Sequence, residues 1–525
     1  MHSQIRRRSA AVVAAVALLA GCASTAPAAA PATVPATVPA TGAPPAGSPQ
    51  AETATVRYAA PGSPSNAVTD PHGLLPGESD VVRMALTYDV LTLPGADGVT
   101  KPRLATAWRP DATLTKWRIT IRDDATFSDG RPVKAADALF SLRRMGEKAA
   151  ENFGRMAMFD LDASKVIDDT TVELVTRKPY AEVGKALEGA TFVVPEGSAD
   201  FSKPVPGSGP FRPTGKGGAQ AVVFERNDDW WGPEPPAKVI EVRAVPDPQA
   251  RAQALLSGQV DLAGGVPATL VKQHEGDTAT RVVRRPGATL YPLVMRMDTK
   301  PFDDRRVREA VRLALDRQQL LDTVFLGYGE LGNDLITPKD PSSPANLPQR
   351  TRDLTRAKAL MAEAGLAGGV DLTLHSTTAY PGMDSAATLI AQQLAEIGIR
   401  AKVRLEPPDT YFSAVYAQKP FYVSYLGGIP FLDVVRVALT PGSPTNETAW
   451  KDAAWSADLD KALAEPDDAE RRSLLGDLQV RLRDQGGYAI WALSDRLDLA
   501  RAELSGVPEG IGFASGFIDQ VSLDG

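Results

Sequence analysis

Helical stripes and alternating runs of apolar residues follow one another along this chain, most clearly between residues 353 and 405. Ala357, Leu360, Met361 and Ala364 recur at helical spacing and stop at Gly365. Val370, Leu372 and Leu374 then alternate with Asp371, Thr373 and His375. Ala387, Ile390, Leu394 and Ile397 make a second stripe, stopped by Gly398. Ile399, Ala401, Val403 and Leu405 alternate with Arg400, Lys402 and Arg404. Periods of 3.6 and 2 residues mark amphipathic helices and half-buried strands. A strand, a helix and a second strand with short links predict a βαβ unit, a parallel pair and an α/β lobe. His375 falls on the polar face of its strand and is expected in solvent.

The same patterning recurs elsewhere. Trp117, Ile119 and Ile121 alternate with Arg118, Thr120 and Arg122, as in a strand with one dry face. Residues 206–262 read as strand, turn, strand, helix and short strand. Asp247 can cap a helix that starts at Pro248, where a missing N–H is harmless, and Gly258 can end it. Val81 to Leu91 reads as a helix, and Leu290 to Met297 as a strand. Val307, Val311 and Leu315 recur every fourth position, with Asp303 or Asp304 as cap.

A length of 525 residues is too great for one core, and two or three domains are expected. The net charge of −7 and the lack of a long basic run argue against a nucleic-acid partner. Arg6, Arg7 and Arg8 precede an apolar stretch from Ala10 to Ala20 that is too short to span a bilayer. Leu19-Ala20-Gly21-Cys22 matches the bacterial lipobox, in which the cysteine thiol carries a lipid. Cys22 is the sole cysteine, which excludes an internal disulfide. Residues 23 to about 55 are Ala, Pro, Thr, Gly and Ser without periodicity, and read as a flexible tether.

Catalytic signatures are scarce. The chain has no His-Glu-x-x-His, no Gly-x-Ser-x-Gly and no Ser-x-x-Lys. A glycosidase pair of carboxylates needs only proximity in space, and counting does not dismiss it. The four histidines, His2, His72, His274 and His375, are scattered, so no cluster suits a bare first-row metal ion.

Three dense motifs carry a family resemblance. Leu104 to Trp108 and Arg122 to Pro132 form the first. Gly207 to Phe211, Glu225 to Gly232 and Pro246 to Asp261 form the second, and Pro301 to Val311 the third. In this order they resemble the large extracytoplasmic solute-binding proteins of ABC importers, family 5, whose members bind oligopeptides, dipeptides and chelated nickel. The resemblance implies a mixed α/β, two-lobed periplasmic-binding-protein-like fold with an extra small subdomain and a ligand cleft between the lobes.

The expected division has seven parts. A lipoprotein signal peptide (1–22) and a disordered tether (23–55) precede the first part of lobe I (56–95). The small subdomain (96–205), more of lobe I (206–288), lobe II (289–492) and the return to lobe I (493–525) come next. The resemblance implies a binding protein without catalysis or cofactor. Expected partners are a small-molecule or peptide ligand, an ABC permease with its ATPases, and the membrane through a lipid on Cys22. A monomer on the outer face of the cytoplasmic membrane is expected. Tyr88, Tyr411, Tyr425 and Trp491 are candidate cleft walls, and Asp433 a candidate ligand group. Family peptide binders often place an Asp for the ligand amine where this chain has Pro430, which puts recognition of a free amine in doubt. A sensor or chaperone-like module on the same scaffold, or a binder of an oligosaccharide or metal chelate, stays open.

Overall fold

The computed structural model describes residues 55–525 except 76, 96–97, 149–153, 190, 218–220, 409, 441–442, 444, 511 and 524–525. Cys22, the signal segment and tether residues 23–54 lie outside the described residues.

Two long strands form the spine of the large sheet. Thr280–Met295 and Tyr488–Arg501 pair antiparallel over nearly their whole lengths. At one end, Tyr488–Arg501 pairs with Leu262–Ala263, and the sheet continues through Thr55–Ala60, Val239–Ala244, Ala221–Arg226 and Phe211–Pro213. At the other end, Thr280–Met295 pairs with Phe421–Val423, followed by Val370–Ser376 and Ile399–Leu405. The crossing strands are longer than the sequence pattern indicated, because Tyr488–Arg501 is buried along nearly its whole length and its polar residues Ser494, Asp495 and Asp498 are buried with the apolar ones.

Each end has its own core. Val307, Val311, Ile390, Leu394, Tyr422 and Trp491 belong to the core built from residues 290–493. Val56, Tyr58, Ile240, Val242, Leu262 and Ala500 belong to a separate one. Trp117, Ile119, Leu139 and Leu174 centre a third, in the small subdomain, around the sheet of Ala105–Pro110, Lys116–Ile121, Thr171–Thr176 and Phe159–Asp168.

Local rules explain most element ends. The βαβ unit forms as the periodicity predicts, with Val370–Ser376 parallel to Ile399–Leu405 and Met383–Ala395 between them. Asp247 accepts from the Ala250 amide at 2.7 Å and caps Pro248–Leu256, and Gly258 has φ +72°. Of the two candidate caps, Asp304 is the one used, at the start of Arg305–Ala314. The helix expected over 81–91 is Glu78–Thr87. It starts earlier because Asp80 accepts from the Gly77 amide, and stops earlier because Tyr88 turns extended.

His375 is a correction. It is 6 % exposed, and its Nδ1 lies 2.7 Å from Glu406 Oε1. Its end of the strand is flanked on both sides, by Arg404 and by Tyr422, so alternation no longer separates a dry face from a wet one.

The glycine and tryptophan motifs form a joint between the small subdomain and the large sheet. Gly209 donates to the Thr87 carbonyl at 2.9 Å, and Gly207 accepts from the Ser128 amide at 2.8 Å. A Cβ on Gly207 would collide with the Thr87 carbonyl oxygen. Asn227 donates its side-chain amide to the Gly209 carbonyl at 3.0 Å. Trp231 donates to Asp89 at 2.9 Å, and Arg103 reaches the same carboxylate at 2.9 Å. Arg122 lies 3.3 Å above the Trp231 ring, a cation–π contact.

Glu447 is buried in the core of residues 290–493, against the hydroxyls of Ser424, Tyr422, Tyr488 and Tyr416. Burial pushes its carboxyl up to about 7, and those hydroxyls only partly offset the cost of desolvating the anion.

Both features can be tested through stability. Gly207→Ala should cost about 1–3 kcal/mol, because the opposing group is backbone and cannot yield. Gly368→Ala, where a Cβ meets nothing, should stay within about 0.5 kcal/mol in the same thermal melts. For Glu447, the native state keeps a proton that the unfolded chain loses near its ordinary value of 4.5. Stability should therefore fall as pH rises from about 4.5 to about 7, by up to ~3 kcal/mol. Glu447→Gln should remove its own share of that slope in denaturant titrations, leaving a comparable share due to Glu188, whose carboxyl burial also raises to about 7.

Candidate functional site

The crossing strand Tyr488–Arg501 places Ser494, Arg496 and Asp498 on one face, since side chains alternate along a strand. Asp498 is fully buried. It accepts from the Gly265 amide at 2.7 Å and from Arg496 Nε at 3.0 Å, and Arg285 pairs with its other oxygen. Arg496 Nη1 reaches Glu78 at 2.5 Å, and Tyr58 donates its hydroxyl to the same carboxylate. Glu78 opens the helix Glu78–Thr87, where the positive end of the helix dipole favours an anion.

Arg251 stands beside this group and donates only to carbonyls, those of Gly264, Gly265, Val245 and Pro246. Burial and then the neighbouring Arg496 lower the pKa of Arg251. Burial also works against the charge on Arg496, but Asp498 and Glu78 outweigh it and raise its pKa. Burial and then Glu78 push the Tyr58 hydroxyl up, so it stays a neutral donor.

Across from this polar cluster stands an aromatic wall. Tyr380 and Tyr425 stack with centroids 3.7 Å apart and planes 12° from parallel. Phe412 meets Tyr425 edge-on at 5.6 Å. Tyr291 donates to the Pro381 carbonyl at 3.0 Å, which ties down the loop that carries Tyr380. Behind it, Trp491 lies parallel to Phe325 at 5.5 Å, with Tyr291 5.6 Å away. The Tyr380 hydroxyl is close enough to Arg496 and Glu78 to feel both charges. The seam between the two cores therefore has a charged side and a ring side.

The small subdomain also touches the core of residues 290–493. Lys185 pairs with Asp340 at 3.0 Å, Lys178 with Asp460 at 2.7 Å, and Arg471 with Glu182. The Ala181 amide donates to the Leu463 carbonyl at 2.7 Å. A cavity of about 270 Å³ lies along this contact, between Trp108, Lys185, Asp340 and Phe431.

Three of the five candidate residues from the sequence fall in one chain of rings. Tyr425 keeps part of its surface open at the seam. Tyr411 is fully buried behind it, with its hydroxyl on the Val423 carbonyl at 2.6 Å, and touches it through Phe412. Trp491 is fully buried one layer deeper. Tyr88 lies elsewhere, packed on Phe192. Asp433 pairs with Arg436 at 3.1 Å near the small subdomain. The sequence pattern did not single out Tyr58, Glu78, Tyr291, Tyr380 or Arg496. The run Asp495-Arg496-Leu497-Asp498, three charges following the apolar stretch Tyr488–Leu493, was the available signal, and the Tyr380-Pro381-Gly382 turn after a predicted strand was another.

Among the described residues, no group of three or more His, Cys, Asp or Glu is placed to hold a metal ion. Within the same residues no helix is long and apolar enough to cross a membrane.

Comparison with known proteins gives this geometry a context. The nickel-binding periplasmic protein of Escherichia coli K12 is 25 % identical over 486 residues, covering 84 % of this chain and 89 % of that protein. The glutathione-binding protein GsiB of Pectobacterium atrosepticum is 23 % identical over 395 residues, covering 70 % and 75 %. The periplasmic binding protein DppA of Helicobacter pylori, solved with the peptide STSA, superposes with a TM-score of 0.74 at 22 % identity, over 90 % of this chain and 98 % of that one. The substrate-binding protein CtaP of Listeria monocytogenes superposes at 0.79 and 19 % identity, over 90 % and 99 %. The fold is thus the two-lobed, mixed α/β periplasmic-binding-protein type. The profile described as bacterial extracellular solute-binding proteins, family 5, matches residues 99–449, and the chain belongs to that family.

Proposed function

We propose that this protein is the substrate-binding component of an ABC importer, tethered by a lipid on Cys22, and that it captures an oligopeptide or similar solute between its lobes. The observation that carries this reading is the seam, where charged groups on one lobe face stacked rings on the other while two continuous strands join them. Such a cleft can hold both the polar and the apolar parts of a small solute and close by hinge motion. The register break between Arg285 and Thr289 supports a pivot at the expected 288/289 and 492/493 boundaries. The relatives named above, one for nickel and one for glutathione, support the class of activity and leave the solute open. In this reading the closed form docks on a permease whose ATPases supply the energy.

Uptake by cells tests this. Deleting the gene should abolish high-affinity uptake of a solute that the purified protein binds, and the wild-type gene should restore it. Cys22→Ser should release the protein from the membrane, lose the lipid mass from its amino terminus, and lower uptake without changing the affinity in solution. Unchanged uptake after deletion would argue against import.

A further inference from the structure

The small subdomain meets the two lobes through unlike contacts. Toward lobe I the contact is an apolar core, in which Met84, Ala85 and Tyr88 pack with Phe192, Val194 and Phe201. A close-packed joint of this kind resists deformation, so the subdomain travels with lobe I. Toward lobe II the contact is largely polar, and the cavity of about 270 Å³ beside Trp108 and Phe431 leaves it incompletely packed. Leu432 and Leu463 of lobe II pack against the subdomain core and against their own. Polar, loosely packed contacts between parts of one chain are those that come apart in domain motion.

One short turn carries most of that polar contact. Glu182 caps and Lys185 belongs to the helix Val183–Ala186, which Val183 and Leu187 pin to the subdomain core. Lobe II holds an opposite charge ready for each. The Asp340 carboxylate accepts from the Ser342 amide at 2.9 Å, the Ser342 hydroxyl at 2.6 Å and the Phe431 amide at 3.0 Å, and Lys185 completes the set at 3.0 Å. Burial works against the charge on Asp340, but Lys185 and these donors outweigh it and hold the carboxyl below its ordinary value. Arg471 donates to the Glu465 carbonyl at 2.9 Å and to Asp468 at 2.6 Å, which aims its Nε at Glu182. The Asp340 and Arg471 side chains are 3 % and 8 % exposed, so salt screens these two pairs little. The pair Lys178–Asp460 lies exposed at the rim of the same contact.

The contact also reaches the ring wall. Tyr425, stacked on Tyr380, starts the segment that leads to Phe431 and Leu432, where Asp340 and the subdomain core take hold. A solute lying on the rings touches one end of a segment whose other end is gripped from lobe I through the subdomain. Rotation of lobe II about the two spine strands separates Lys185 from Asp340 and Glu182 from Arg471. Water then hydrates the parted charges, which makes the contact reversible.

We infer that the small subdomain is a latch: Glu182 and Lys185 grip Arg471 and Asp340 only when the lobes are closed, and so set the closed population and the residence time of any solute. This rests on the solute-capture reading above and gives the subdomain a part in closure. The four side chains are engaged with one another, so they act on affinity through the open–closed equilibrium and not through the solute. The apparent affinity scales with the population of the binding-competent form. Chemically different solutes therefore lose the same factor when the latch is weakened.

The test has a solute-free arm and a binding arm. Lys185→Met keeps the length of the stem and removes the charge. In a Cys22→Ser protein spin-labelled at Gln259→Cys and Lys358→Cys, one exposed residue on each lobe, it should shift the solute-free distances toward a longer population. Thermal shift with short peptides, glutathione, oligosaccharides and nickel chelates identifies binders, and calorimetry and stopped flow give Kd and the release rate. Lys185→Met should weaken every binder by the same factor, about tenfold or more, mostly through faster release. Lys178→Glu at the rim should weaken binding about threefold, and adding Asp460→Lys should restore it, which a folding defect would not allow. Lys165→Met, which removes an ion pair within the subdomain, should leave binding intact. The melting temperature of each ligand-free variant reports folding separately. A folded Lys185→Met protein with unchanged distances, Kd and release rate overturns the latch and leaves solute capture standing, as does a loss confined to some solutes. An unmutated protein that binds none of the probes overturns solute capture, and the solute-free distances still decide the latch.

Discussion

Sixteen residues of one strand and fourteen of another carry the hydrogen bonds that join two separately cored lobes. Everything at the seam depends on this pairing. Continuous strands fix the spacing of the lobes and the face on which each side chain emerges. The ladder is interrupted where the register shifts, between Arg285 and Thr289 and again between Tyr291 and Pro292. Interfaces between packed cores move as rigid bodies because the cores themselves are close-packed and resist deformation.

The two sides of the seam are built by different physics. On lobe I, Asp498 gathers the Gly265 amide, Arg285 and Arg496, and Tyr58 and Glu78 extend the cluster outward. Paired in this way, the charges offset each other's desolvation cost and stay in fixed positions. On lobe II the rings stack in layers, with Trp491 and Phe325 supporting Tyr291 and Tyr291 holding the loop of Tyr380. Position is set there by packing, and the surface offered at the seam is flat. The Gly207 to Phe211 and Glu225 to Gly232 motifs serve neither side directly. They lock the small subdomain onto the sheet through Thr87, Asp89 and Trp231.

The sequence made the scaffold legible where local rules decide. The βαβ unit at 370–405 needed only periodicity and two stop glycines, and the caps at Asp247 and Asp304 needed only side-chain chemistry. The site was less legible because it is assembled from distant segments. Arg496 meets Glu78 only after more than four hundred residues intervene, and Tyr58 joins them from twenty residues before Glu78. Tyr411 and Trp491 stood out as aromatic residues, yet what separates them from Tyr425 is depth, which a linear pattern does not encode. His375 misled for the same reason: a flanking strand changed its surroundings without changing its place in the alternation.

Solute capture of this kind requires the two lobes to move about their shared strands when a solute enters. Spin labels on exposed residues of the two lobes, at Gln259→Cys and Lys358→Cys in a Cys22→Ser protein, report that distance directly. A saturating solute should shift the interlobe distance distribution to a single shorter and narrower population. A distribution that is identical with and without a solute bound at the seam would contradict capture by hinge closure.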